Sequence, residues 1–197
     1  MLQQFRPAII ILLAMTVITG VLYPLAITGI AQLVFPHQAN GSIIVRNGKT
    51  AGSELIGQQF DNPKYFWGRL SATGDFPYNA FNAPTLTGSS GSNYGSMNPA
   101  LLKAVQDRIG ALKQADPGNA APIPVDLVTA SGSGLDPNIS VAAALYQAQR
   151  IARLRGLSLA TVQQLIAEHT QGRQLGFLGE PRVNVLELNL ALDEAAQ

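Results

Sequence analysis

Pro7 to Pro36, PAIIILLAMTVITGVLYPLAITGIAQLVFP, runs thirty residues without a charge. A bilayer hydrocarbon core about 30 Å thick takes roughly 20 apolar helical residues to cross, so Ile9 to Val34 spans it with length to spare. A secretory signal peptide has an apolar core of only about 7 to 15 residues. Gly29-Ile30-Ala31 has the small-x-small form of a cleavage site, but the run before it is too long. A buried helix of a water-soluble protein is disfavoured by the same length. The stretch is therefore read as one transmembrane anchor. Gly20, Pro24 and Gly29 interrupt it, which a spanning helix tolerates where neighbouring protein re-satisfies the backbone, and they suggest a partner helix.

The flanks set an expected orientation. Arg6 precedes the span and a long segment of about 160 residues follows it. Long segments translocate largely regardless of charge, so the short basic flank decides, placing residues 1–6 in the cytoplasm, 7–36 in the membrane and 37–197 outside it. The chain has no cysteine, which excludes disulfides and thiolate chemistry. The net charge of +1 comes without a basic block, so no nucleic-acid partner is indicated.

Outside the anchor, Ser42-Ile43-Ile44-Val45-Arg46 followed by Asn47-Gly48 predicts a strand and a tight hairpin turn. Gly74 to Met97 is rich in Gly, Ser, Asn and Pro and reads as a loop, packed or partner-contacting through Phe76, Tyr78, Phe81 and Tyr94. Asn98-Pro99 opens a helix that stops near Asp116-Pro117-Gly118. Pro124 to Thr129 reads as a short buried strand leading into the turn Ser131-Gly132-Ser133-Gly134. Ser140 caps a helix closed by Gly156, with Arg150, Arg153 and Arg155 complementing its dipole, and Ser158 caps the next. The tail Val183 to Leu192 alternates like a strand but carries Asn184 and Glu187 at N-cap and N3 spacing, which favours a helix. Helices and strands without a βαβ repeat make this an α+β domain behind a single N-terminal transmembrane helix.

Three chemistries deserve weighing on these residues. The Gly/Ser loop before the Ser140 helix has the backbone to hold an anion, but no Lys follows in a Walker A arrangement. Ser131 or Ser133 with Asp136 and His169 has the residue types of a nucleophilic triad, without a G-x-S-x-G elbow, and Asp136 before Pro137 is better read as an Asx turn. His37 and His169 have no paired carboxylate spacing, so no metal site is expected. Tyr65-Phe66-Trp67-Gly68-Arg69 reads equally as core or as a recognition patch with Arg near aromatics.

In order along the chain, SELIGQQF (Ser53 to Phe60), YFWGRLSA (Tyr65 to Ala72), GSNYG (Gly91 to Gly95), IPVDLVTASGSGLDPNIS (Ile123 to Ser140) and GEPRVNVLELNLAL (Gly179 to Leu192) closely resemble the KdpC family, the C subunits of the Kdp potassium-transporting P-type ATPases of bacteria and archaea. The likeness covers essentially the whole chain, with Leu70 and Tyr94 as departures where Pro and an apolar residue are expected. It implies an accessory subunit of a high-affinity potassium uptake pump in the plasma (inner) membrane. Its partners would be a channel-like pore subunit, a P-type ATPase subunit and a very small membrane subunit. ATP and Mg are expected on the ATPase partner and no cofactor in this chain, which lacks a D-K-T-G-T motif. The family is described as raising ATP affinity by contact with bound nucleotide, a role that an external domain cannot perform. A domain over the outer mouth of the pore fits better, with Asp75, Asp126 or Asp136 concentrating K⁺ there. The motif residues singled out as interaction candidates are Trp67, Arg69, Asp126, Thr129, Ser131, Ser133, Asp136 and Arg182. The alternatives are a membrane-anchored hydrolase, which would depend on Ser133, and an anchored ligand-binding module.

Overall fold

The computed structural model describes residues 2–73 and 88–195. They belong to two compact units, Met1–Ala51 and Gly52–Gln197. In the first, Phe5–Val34 is one 30-residue helix, long and apolar enough to cross a membrane. It consists of α1 (Phe5–Val17), a π-turn (Ile18–Leu22) and α2 (Tyr23–Val34). None of its side chains is buried within the chain, as befits a helix whose solvent is lipid or another protein. Phe35 leaves helical geometry and Pro36 starts the short α3 (Pro36–Ala39). Strands β1 (Ile43–Arg46) and β2 (Lys49–Ser53) follow as a hairpin, and Asn47 and Gly48 both take positive φ (50° and 74°) at its turn, as the Asn-Gly pair predicts.

The second unit is a helical layer over a small sheet. Asn98 accepts the Ala100 N–H (2.9 Å) to start α4 (Pro99–Ala115). Ser140 accepts the Ala143 N–H (3.0 Å) to start α5 (Val141–Arg155), and Gly156 closes that helix in the left-handed region at φ 68°. Ser158 caps α6 (Leu159–Glu168) through the Thr161 N–H (3.0 Å). These caps fall where the sequence predicts them. The tail satisfies both of its patterns in turn: Arg182–Asn184 is strand β5, and Asn184 Oδ1 then accepts the N–H groups of Leu186 (3.0 Å) and Glu187 (3.2 Å) to cap α7 (Val185–Ala195). Strands β3 (Asn138–Ser140), β5 and β4 (Thr170–Gln171) form an antiparallel sheet in the order β3-β5-β4, with Val183 opposite both Ile139 and Thr170.

One element differs from expectation. Val125–Leu127 is a 3₁₀ turn, not a buried strand, and Val125 is 71% exposed. Its apolar run deceives because only Leu127 and Val128 point into the core, while the Thr129 hydroxyl donates to Val125 O (2.8 Å) and tightens the turn. The core centres on the alanine-rich face of α5 (Ala143, Ala144, Ala148, Ala152), whose small side chains admit Phe66, Leu127, Ile139, Val162, Ile166, Val183, Leu188 and Leu192. Among the loop aromatics, Phe76, Tyr78 and Phe81 lie outside the described residues, as does Asp75, while Tyr94 is exposed.

Candidate functional site

The segment Asn62 to Leu70 crosses the core without joining the sheet, so its buried peptide groups need partners from side chains. Two amides supply them as a strand would. Phe66 N–H donates to Asn189 Oδ1 (2.8 Å) and Asn189 Nδ2 donates to Phe66 O (3.0 Å). Trp67 N–H donates to Gln147 Oε1 (2.9 Å) and Gln147 Nε2 donates to Trp67 O (3.1 Å). Arg150 donates to Pro63 O (2.7 Å) and Tyr65 O (3.2 Å), and Arg108 to Gly68 O (3.0 Å) and Leu127 O (2.9 Å). The guanidinium carbons of Arg108 and Arg150 lie 5.0 and 4.7 Å from the Trp67 ring centroid, within cation–π range. Trp67 is thus core. The cations on the aromatics come from distant helices, and Arg69 turns elsewhere.

Arg150, Arg153 and Arg155 do more than complement a helix dipole. Arg150 binds the crossing segment, Arg153 pairs with Asp116 (2.8 Å), and Arg155 pairs with Asp193 (2.6 Å) while donating to Lys64 O (2.9 Å). Gln147, Asn189, Arg108 and Arg150 are the residues that motif reading missed. A signal was present for two of them, since Gln147 and Arg150 share the helical face of Ala143, Ala144 and Ile151.

Four of the eight motif candidates, Arg69, Asp126, Asp136 and Arg182, line one open groove of about 690 Å³ beside edge strand β3. The strand's outward N–H groups are taken up by carboxylates. Ser140 N–H donates to Asp126 Oδ2 (2.7 Å) and its hydroxyl to Asp126 Oδ1 (3.1 Å). Asn138 N–H donates to Asp136 Oδ1 (2.9 Å), the Asx turn expected before Pro137. Asp136 Oδ2 in turn accepts from Arg69 Nη1 (3.0 Å), and Arg69 Nη2 donates to Ala130 O (3.2 Å). Both aspartates thereby blunt a sheet edge that would otherwise invite strand pairing. Asp136 is matched by the Arg69 cation, whereas the neutral donors of Ser140 hold Asp126.

Ser131 and Ser133 organise their own loop. Ser131 Oγ accepts the N–H groups of Ser133 (3.2 Å) and Gly134 (3.0 Å), and Ser133 Oγ accepts that of Leu135 (3.1 Å). His169 Nδ1 lies 2.9 Å from Leu165 O on its own helix. The structure does not assemble Ser, Asp136 and His169 into a relay. Among the described residues no group of three or more His, Asp or Glu is placed to hold a metal. The loop between β4 and β5 offers the other conspicuous surface. Leu175, Phe177 and Leu178 project there (84%, 67% and 47% exposed), with Leu175 in the left-handed region and Arg173 paired with Glu180 (2.7 Å) at the base.

The family model described as "K+-transporting ATPase, c chain" (KdpC) matches residues 5–194. This chain belongs to the KdpC family. The potassium-transporting ATPase KdpC subunit of Methylococcus capsulatus is 63% identical over 193 residues, covering 98% of each chain. That of Herpetosiphon aurantiacus is 64% identical over 190 residues (96% of this chain, 95% of the relative), and that of Sorangium cellulosum 58% over 195 residues (99% and 100%). The likeness runs over nearly the whole of each relative, across both the apolar helix and the residues that follow it.

Proposed function

We propose that this chain is an accessory, non-catalytic subunit of a potassium-transporting ATPase, needed for assembly and stability of the pump. The full-length likeness to proteins named as KdpC subunits carries the reading. One span does not enclose an ion pathway, and the sequence has no D-K-T-G-T phosphorylation motif, so pore and energy come from partner subunits. Those partners are a channel-like pore subunit, a P-type ATPase subunit that binds ATP and Mg, and a small membrane subunit. The helix anchors the chain in the plasma membrane with its N-terminus cytoplasmic, and the domain sits outside over the pore mouth, presenting Leu175, Phe177 and Leu178 as apolar contacts. In that topology the domain acts on pore geometry and does not touch cytoplasmic nucleotide.

The test uses the absence of native cysteine. Ser90→Cys, at an exposed loop position, is treated with a membrane-impermeant maleimide on intact cells. Labelling from outside is expected; labelling only after permeabilisation would invert the topology and restore a nucleotide role. Co-purification of the native chain with the two larger subunits tests the subunit assignment itself.

A further inference from the structure

At the middle of the membrane helix the hydrogen-bond register slips. Tyr23 N–H donates to Ile18 O, five residues back, at the end of the π-turn. Pro24 comes next and has no N–H. The Thr19 carbonyl is caught between the two registers: its α-helical donor is the Tyr23 N–H, which Ile18 holds, and its π-helical donor would be the N–H that Pro24 lacks. Local hydroxyls do not replace it, since Thr19 Oγ1 donates to Met15 O (2.7 Å) and Thr16 Oγ1 to Leu12 O (2.8 Å).

Position 19 lies midway along Phe5–Val34, the depth at which a spanning helix has least access to water and a bare carbonyl is costliest. Next to it stands Gly20, and a Cβ added there would meet nothing of this chain within 4 Å. The chain's own packing therefore gives no reason for glycine at that position. A glycine beside an exposed acceptor suits the close approach of another helix.

We infer that the Thr19 carbonyl is a docking point for an uncharged hydrogen-bond donor, a hydroxyl or amide side chain, on a transmembrane helix of a partner subunit, with Gly20 admitting that helix. The identity of the partner rests on the subunit reading above; the missing donor does not. A charged donor fits poorly because the surrounding thirty residues carry no counter-charge.

The experiment is isotope-edited infrared spectroscopy on the whole pump, with threonine carbonyl-¹³C in this chain. The spectrum of Thr19→Ser, which loses the label at position 19 alone and keeps a hydroxyl, is subtracted to isolate that carbonyl. The expected result is a band at lower frequency in the assembled pump than in the chain alone in phosphatidylcholine bilayers. Pro24→Ala restores an N–H and is expected to abolish the difference, and to release the chain from the pump at a lower detergent concentration. A pump that assembles with the band unshifted overturns the docking point alone. A band already low in the isolated chain overturns it in favour of water or a second copy. A native chain that does not co-purify with any membrane subunit overturns both this inference and the subunit reading.

Discussion

Replacing Asn189 by alanine should be among the most damaging single changes to the domain. Asn189 is 1% exposed and Phe66 is fully buried, so truncation strands both the N–H and the C=O of Phe66 away from water. An unsatisfied buried polar group costs about 1–3 kcal/mol, which puts Asn189→Ala at about 2–6 kcal/mol. The net worth of two ordinary hydrogen bonds would be only about 1–3 kcal/mol, so the desolvated backbone decides the size of the effect. The assay is urea unfolding of the full chain in mild detergent, followed by the fluorescence of Trp67, the only tryptophan and the neighbour of the stranded peptide. Lys103→Ala, which breaks an exposed i,i+4 pair with Asp107, serves as the control at about 0.5 kcal/mol or less. A loss at Asn189 no larger than this control would refute the claim that side-chain amides replace strand pairing for the Asn62 to Leu70 segment.

Three further changes probe other parts of the architecture. Gly134→Ala places a Cβ against Thr73 Cγ2 and 2.5 Å from Ser90 O at φ +70°, and should cost about 2–5 kcal/mol by the same assay. Asp136→Ala removes both the Asx turn and the partner of Arg69, a partly buried pair, and should cost about 1–3 kcal/mol, with Asp136→Asn retaining part of the turn. Burial first, and Glu54 second, raise the pKa of the Glu187 carboxyl, with His169 opposing. The folded state therefore favours its protonated form, and this contribution to stability is complete below the unfolded value near 4.3 and is lost as pH rises through the raised one. Glu187→Gln should unfold at higher urea than the native chain at pH 7, with the advantage closing as pH falls toward about 4; an equal advantage at both pH values would contradict the assignment.

Much of this molecule is written locally. The thirty uncharged residues determine a helix long and apolar enough to span a membrane, because length and apolarity are properties of the segment itself. Asn98, Ser140, Ser158 and Gly156 set helix ends, and Asn47-Gly48 sets a hairpin turn, because caps and turns are satisfied within a few residues. The family motifs were equally legible, as was the Asx turn at Asp136. What each motif residue does was not. Trp67 proved to be core, Asp126 and Asp136 close a sheet edge, Ser131 and Ser133 hold their own loop, and Val125 to Leu127 coil where an apolar run read as a strand. Ser131, Ser133 and Thr129 bond within four residues, but the places of Asp126, Trp67 and Phe66 depend on Ser140, Gln147 and Asn189, which lie 14, 80 and 123 residues away. No local pattern encodes such distances. The tertiary structure alone decides them, because a buried peptide group must be paired by whatever donor or acceptor the fold brings beside it.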